Sequence, residues 1–153
     1  MKNTGYAVYN YPCGNMKIGY TDKAIRSVVF TDEKVGGKPS ALSGKADTQL
    51  REYFAGTRKN FDLPLETEGT EFQKKVWAAL LEIPYGETRS YKQIAERAGS
   101  PKGFRAVGGA NHNNPITIII PCHRVIAADG GLGGYGGGLD KKTLLLELER
   151  KYR

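Results

Sequence analysis

Apolar and polar positions along the chain change their period near residue 67. Before it, Tyr6 to Glu33 reads as short strands. Lys17-Ile18-Gly19-Tyr20 and Ile25-Arg26-Ser27-Val28-Val29-Phe30 carry β-branched and aromatic residues on either side of a Thr21-Asp22-Lys23 turn. Gly36-Gly37-Lys38-Pro39-Ser40 has the residues of a loop. From Lys45 to Ala55 the spacing becomes helical, with Leu50, Tyr53 and Phe54 at i, i+3 and i+4, and Gly56 is placed to end that helix.

Beyond residue 67 the pattern is helical almost throughout. Thr70 is placed as an N-cap, and Phe72, Val76, Trp77, Leu80 and Leu81 predict one apolar helix face that Ile83-Pro84-Tyr85-Gly86 terminates. Ser90-Tyr91-Lys92-Gln93 has the S-x-x-Q form of a capping box, which predicts a helix through Ala98 ending at Gly99. After a Ser100-Pro101-Lys102-Gly103 turn, Phe104 to His112 reads as a second helix, so the pair forms a helix-turn-helix. Its small residues Ala106, Gly108, Gly109 and Ala110 lower helix propensity, which a close approach to a groove or another helix would explain. Ile116, Ile118, Ile119 and Ile120 form a short β-branched run that predicts a buried strand ended by Pro121. Lys141 to Lys151 is the closing helix, with Leu144, Leu145 and Leu148 as its stripe. The expectation is a two-part α/β (α+β) protein, a sheet-and-helix domain over 1–67 and a helical domain over 68–153.

Composition sharpens this reading. The 153 residues suffice for one ordinary domain or two small ones, and 39% hydrophobic content argues for a folded chain. No stretch approaches the ~20 apolar residues of a membrane span, and the N-terminus lacks an apolar signal core, so a cytoplasmic protein with no membrane partner is expected. Two distant cysteines without a CxxC or paired histidines argue against a metal site, and a reducing compartment argues against a Cys13–Cys122 disulfide. The net charge of +7 and pI near 9.4 point to a polyanionic partner, nucleic acid before membrane. Lys92, Arg97, Lys102 and Arg105 place part of that charge on the helix-turn-helix.

The candidate chemistry lies in Pro121-Cys122-His123-Arg124-Val125, a thiol and an imidazole next to a buried segment. Asp129 to Leu139 follows, with seven glycines around Leu132 and Tyr135, and reads as a backbone-lined pocket wall, since glycine lets main chain approach a ligand. The first part of the chain has no histidine and one isolated cysteine, and is read as structural.

Asn114-Pro115, five residues, then Pro121-Cys122-His123-Arg124-Val125 resembles the signature of the methylated-DNA–protein-cysteine methyltransferases, the 6-O-alkylguanine-DNA alkyltransferases. The resemblance covers Gly69 to Glu149 and is vaguer before it. It implies a ribonuclease H-like first domain and a winged-helix-like second one. It also implies a monomer, needing no cofactor, that binds double-stranded DNA through the minor groove and flips out an alkylated guanine. Cys122 would accept the alkyl group irreversibly and stoichiometrically, with His123 as base through a water and a carboxylate orienting it. The family's Lys-x-x-Leu-Leu-x-x-Glu pattern matches Lys142, Leu145, Leu146 and Glu149, which selects Glu149 over Glu147. Arg105 matches the intercalating arginine, Tyr91 the tyrosine that pushes on the target phosphate, Asn114 the asparagine joining the site segments, and Tyr135 the pocket-wall tyrosine. Gln73, Lys74, Lys92 and Ser100 match positions resembling DNA-backbone contacts. Gly103, Asn111 and Gly136 depart from the family pattern and leave pocket size and activity on 4-O-alkylthymine open. Two other classes compete: a lesion binder, which would lack the cysteine, and a Cys-His hydrolase, which would turn over and needs no helix-turn-helix.

Overall fold

The computed structural model describes residues 4–153 and separates them into two compact units, one of residues 4–67 with 115–117, the other of residues 68–114 with 118–153. The first is a four-stranded antiparallel sheet, β1 (Thr4–Tyr11), β2 (Gly14–Thr21), β3 (Ile25–Phe30) and β4 (Gly36–Gly37), in the order β3-β2-β1-β4. Along β2, Met16, Ile18 and Tyr20 alternate inward, as a half-buried strand requires. Helix α1 (Ala41–Phe54) covers that face with Ala46, Leu50 and Tyr53. The turn between β2 and β3 is held by the Thr21 hydroxyl, which accepts from the backbone N–H groups of Lys23 and Ala24.

Two expectations here need correction. Gly36 and Gly37 are not loop but a short edge strand paired with Val8 and Ala7. The helix begins at Ala41 rather than Lys45, because Ser40 and Ser43 form a reciprocal capping box that the apolar spacing alone does not reveal.

The second unit is built from α2 (Glu71–Leu81), α3 (Tyr91–Arg97), α4 (Phe104–His112) and α5 (Leu139–Lys151), with a small parallel pair of β5 (Arg89–Ser90) and β6 (Val125–Ile126). Thr70 and Ser90 cap α2 and α3 through capping boxes with Gln73 and Gln93. Gly99, at φ +81, provides the left-handed turn after α3 that a residue with a side chain rarely adopts. Helices α2, α3 and α4 pack on Val76, Trp77, Leu80, Ile94, Val107 and Ala110, and the Trp77 indole donates to the Ala110 carbonyl at 3.0 Å. Leu81, placed on the apolar face by its spacing, is instead 51% exposed, since it lies beyond the edge of that contact.

The isoleucine run is buried, yet it is not a strand. Ile116 and Thr117 belong to the first unit, where the Val28 N–H donates to the Pro115 carbonyl and the Thr117 N–H to the Val28 carbonyl. Ile118 then takes φ +73, which breaks any extended run and is costly for a β-branched residue. Every isoleucine from Ile116 to Ile120 is inside because the segment is enclosed, so apolar composition here reports burial rather than strand.

Candidate active site

Cys122 opens a single 3-10 turn, Cys122–Arg124, that β6 follows directly. Pairing of β5 with β6 joins Arg89 to Val125 and Ser90 to Ile126, so the first residue of α3, Tyr91, starts beside the cysteine turn. The Cys122 thiol faces a cleft of about 750 Å³ lined also by Tyr91, Lys92, Phe104, Arg105, Gly108, Asn111, His112, Tyr135 and Gly136. Phe104, Arg105, Gly108, Asn111 and His112 form one face of α4, opposite the buried Val107 and Ala110.

Three side chains of the turn and of α5 form a closed polar array. His123 Nε2 and Glu149 Oε2 are 2.6 Å apart, both buried. Arg124 donates to the same carboxylate from Nε at 2.7 Å and Nη2 at 3.0 Å, and its Nη1 donates to the Ile83 carbonyl at 2.7 Å. The Gly86 N–H adds a fourth donor at 3.2 Å. Burial alone would raise the Glu149 pKa, but the hydrogen bonds from His123 and Arg124 pull it well below the usual carboxylate range. Burial pushes the His123 pKa down against the pull of Glu149, so the ring is held neutral. An ionised carboxylate can only accept, hence Nε2 carries the ring proton and Nδ1 keeps a basic lone pair. Nδ1 has no hydrogen-bond partner among the described residues.

Burial raises the Cys122 pKa, and a hydrogen bond from the Asn114 side chain and the charge of Lys142 act against it. Asn114 Nδ2 also donates to the Ile120 carbonyl at 2.8 Å, which holds the backbone two residues before the thiol. The Tyr91 hydroxyl donates to the Gly134 carbonyl at 3.5 Å, and burial raises the Tyr91 pKa. A side chain at Gly133 would fall 2.7 Å from the Tyr91 hydroxyl, at a backbone φ of +70, so glycine is required there.

The structure thus brings Cys122, Tyr91, Arg105, Lys92 and Tyr135 to one cleft, with His123, Glu149 and Asn114 packed behind it. Glu147 is exposed and takes no part in the array. Lys74 is exposed on α2, Ser100 is half-buried in the helix-turn-helix turn, and the Gln73 side-chain oxygen is occupied by the Thr70 N–H at 2.9 Å. Arg97, counted among the basic residues favouring DNA, is paired two-pronged with Glu82 at 2.7 and 2.9 Å, which neutralises it. Sequence reasoning missed the roles of Arg124 and Lys142. On α5 the buried positions are Lys142, Leu145 and Glu149, at i, i+3 and i+7, while Leu144 and Leu148 are only half-buried. The signal was available: two charged residues share the helical face of Leu145. Both cysteines are buried thiols, and Cys13 Sγ donates to Met16 Sδ at 3.9 Å in the first unit.

A helix-turn-helix beside a cleft that a cysteine lines, with a buried histidine and carboxylate behind that cysteine, defines a class of cysteine-acceptor transferases rather than a plain DNA reader. Residues 71–151 match the family model for the 6-O-methylguanine DNA methyltransferase DNA-binding domain, and residues 5–67 that for the ribonuclease-like domain of the same proteins. The chain belongs to the 6-O-methylguanine DNA methyltransferase family. It is 62% identical over 151 residues to the methylated-DNA–protein-cysteine methyltransferase of Methanosarcina barkeri, covering 94% of this chain and 96% of the relative. The Methanosarcina acetivorans protein of the same name is 49% identical, with 94% and 97% covered. The crystal structure of Mycobacterium tuberculosis OGT in complex with DNA superposes with a TM-score of 0.90 at 46% identity, covering 96% of this chain and 93% of that one.

Proposed function

We propose that this protein repairs DNA by direct reversal, moving the alkyl group from the 6-oxygen of guanine in a duplex to Cys122. The observation that carries the reading is the buried Glu149–His123 pair immediately behind a thiol that faces a cleft beside the helix-turn-helix. Cys122 gives up its proton toward the Nδ1 side of His123 through a water, and Glu149 stabilises the imidazolium that forms. The thiolate attacks the alkyl carbon, the carbon–oxygen bond breaks, and guanine leaves with the electron pair on its 6-oxygen and is reprotonated. The product is a thioether. Unlike an acyl-enzyme it offers water no carbonyl to attack, so each protein molecule reacts once.

The stacked base must leave the helix to reach the thiol. Arg105, exposed at the rim of the cleft on α4, fills the space it leaves, while Tyr91 acts on the target phosphate and Tyr135 forms the wall. Lys74, Lys92 and Ser100 contact the DNA backbone, with Gln73 doing so through its amide N–H groups. Approach is through the minor groove, whose degenerate pattern suits a protein that must act in any sequence. The protein works as a monomer. The first domain, residues 1–67, is structural, and residues 68–153 bind DNA and accept the alkyl group. Among the described residues, no helix is long and apolar enough to cross a membrane.

A lesion binder without transfer has no use for the cysteine, and a hydrolase has none for the helix-turn-helix. The test is peptide mapping after incubation with a duplex containing 6-O-methylguanine. The methyl group is expected on the Cys122 peptide. Its appearance on Cys13 would overturn the assignment.

A further inference from the structure

Lys142 takes no part in the relay, yet its side chain is wholly buried on α5. A lysine ammonium is seldom removed from water unless specific acceptors replace the solvent. Here both acceptors are main-chain carbonyls, Val125 at 2.6 Å and Gly134 at 3.1 Å. Val125 directly follows the Cys122–Arg124 turn, and Gly134 lies in the glycine-rich wall of the cleft. The Gly134 carbonyl also accepts from Tyr91, whose ring lies 5.9 Å from the Lys142 Nζ. Seven glycines between residues 130 and 138 leave this segment little preference of its own for one path, and it contains no helix or strand. The ammonium is therefore a tie between the backbone that carries the thiol and the loop that faces it.

We propose that Lys142 is a positioning residue for alkyl transfer, one that fixes the glycine-rich wall against the Cys122 turn and so sets the width of the cleft for the base. The inference rests on the transfer reading above. It assigns Lys142 no contact with the substrate. Methionine has a similar length and no donors, so Lys142→Met keeps the packing and cuts the tie, whereas Lys142→Arg keeps donors for both carbonyls.

The test combines hydrogen exchange on the full chain with single-turnover alkylation by free 6-O-benzylguanine over a range of concentrations. In Lys142→Met, exchange across residues 129–138 is expected to rise about tenfold, while amides of β1 to β3 keep their protection. The half-saturating concentration should rise about tenfold, more than the saturated rate falls through loss of the Lys142 charge near Cys122, and Lys142→Arg should restore most of both. Unchanged loop exchange, or a loss of protection spread over the whole second unit that arginine does not rescue, overturns the proposal. A wild-type protein that the free base fails to alkylate counts against the transfer reading for that substrate, and loop exchange still decides whether Lys142 is the tie.

Discussion

Arg124 and Glu149 form a two-point ion pair inside the second unit, with Nε and Nη2 on the two carboxylate oxygens at 2.7 and 3.0 Å. The same carboxylate accepts from His123, so one buried anion anchors both residues that follow the cysteine. Removing one partner of a buried pair strands the other without water. Arg124→Ala should therefore lower unfolding stability by about 3–5 kcal/mol, measured by denaturant melts. Arg124→Lys should recover only part of this, since an ammonium cannot make the two-pronged contact.

Glu149 is also the group that fixes the His123 tautomer. Glu149→Gln should slow single-turnover alkylation by about 10²- to 10⁴-fold, the usual range for losing acid–base assistance. Glu147→Gln should leave the rate unchanged, because that side chain is exposed and outside the array. Equal rates for the two variants would show that the carboxylate does not act through the imidazole.

Acid should unfold the protein through this same pair. The folded-state pKa values of Glu149 and His123 are both depressed, Glu149 by its hydrogen bonds against the effect of burial, His123 chiefly by burial. Their unfolded values lie near about 4.3 and 6.5. Where the unfolded chain binds more protons than the folded one, stability rises with pH. The contribution is thus complete above about pH 6.5 and is lost as pH falls through and below the unfolded values. The melting temperature should drop steadily from pH 7 to pH 4. A flat acid limb in the wild-type protein contradicts this.

Asn114 holds the thiol and the Ile120 carbonyl together. Asn114→Ala removes a hydrogen bond that lowers the Cys122 pKa, so the pH profile of Cys122 modification by iodoacetamide should move upward. It also leaves a buried carbonyl without its donor, which should reduce stability by about 1–3 kcal/mol. An unshifted profile would mean that the bond does not favour the thiolate.

Arg105 and Arg97 sit fifteen and seven residues after Ser90, yet they stand in different electrostatic settings, the first exposed at the cleft and the second locked to Glu82. Extracting a stacked base costs a few kcal/mol, and an arginine in its place offsets part of that. Arg105→Ala should slow repair of duplex at saturating protein while scarcely changing reaction with free 6-O-benzylguanine. If Arg105 only contacted phosphate, lowering the salt would restore the rate. Arg97→Ala should change neither rate.

Much of the molecule was legible in the residues. The caps at Thr70 and Ser90 and the span of α4 follow from local spacing, while Glu149 rather than Glu147 against the imidazole follows from the resemblance to the family's Lys-x-x-Leu-Leu-x-x-Glu pattern. What escaped lies where tertiary burial overrides local preference. The isoleucines near residue 118 look like a strand because they are β-branched, but the chain passes through a left-handed Ile118 and they are simply enclosed. On α5 the leucines drew the apolar stripe, while the core face belongs equally to Lys142 and Glu149, whose burial depends on partners remote in sequence, Val125, Gly134, His123 and Arg124. The cleft face of α4 was open to the 3.6-residue period, had Phe104, Asn111 and His112 been read with Arg105 rather than as separate residues.

The most direct test of the account is the intact mass of the protein, together with a count of lesions removed, after incubation with an excess of duplex carrying 6-O-methylguanine. Transfer to Cys122 predicts a permanent gain of one methyl group per protein molecule, one lesion lost for each, and no gain in Cys122→Ser although it still binds DNA. Repair of many lesions by protein recovered at its original mass, or tight binding with neither mass gain nor lesion loss, would contradict it.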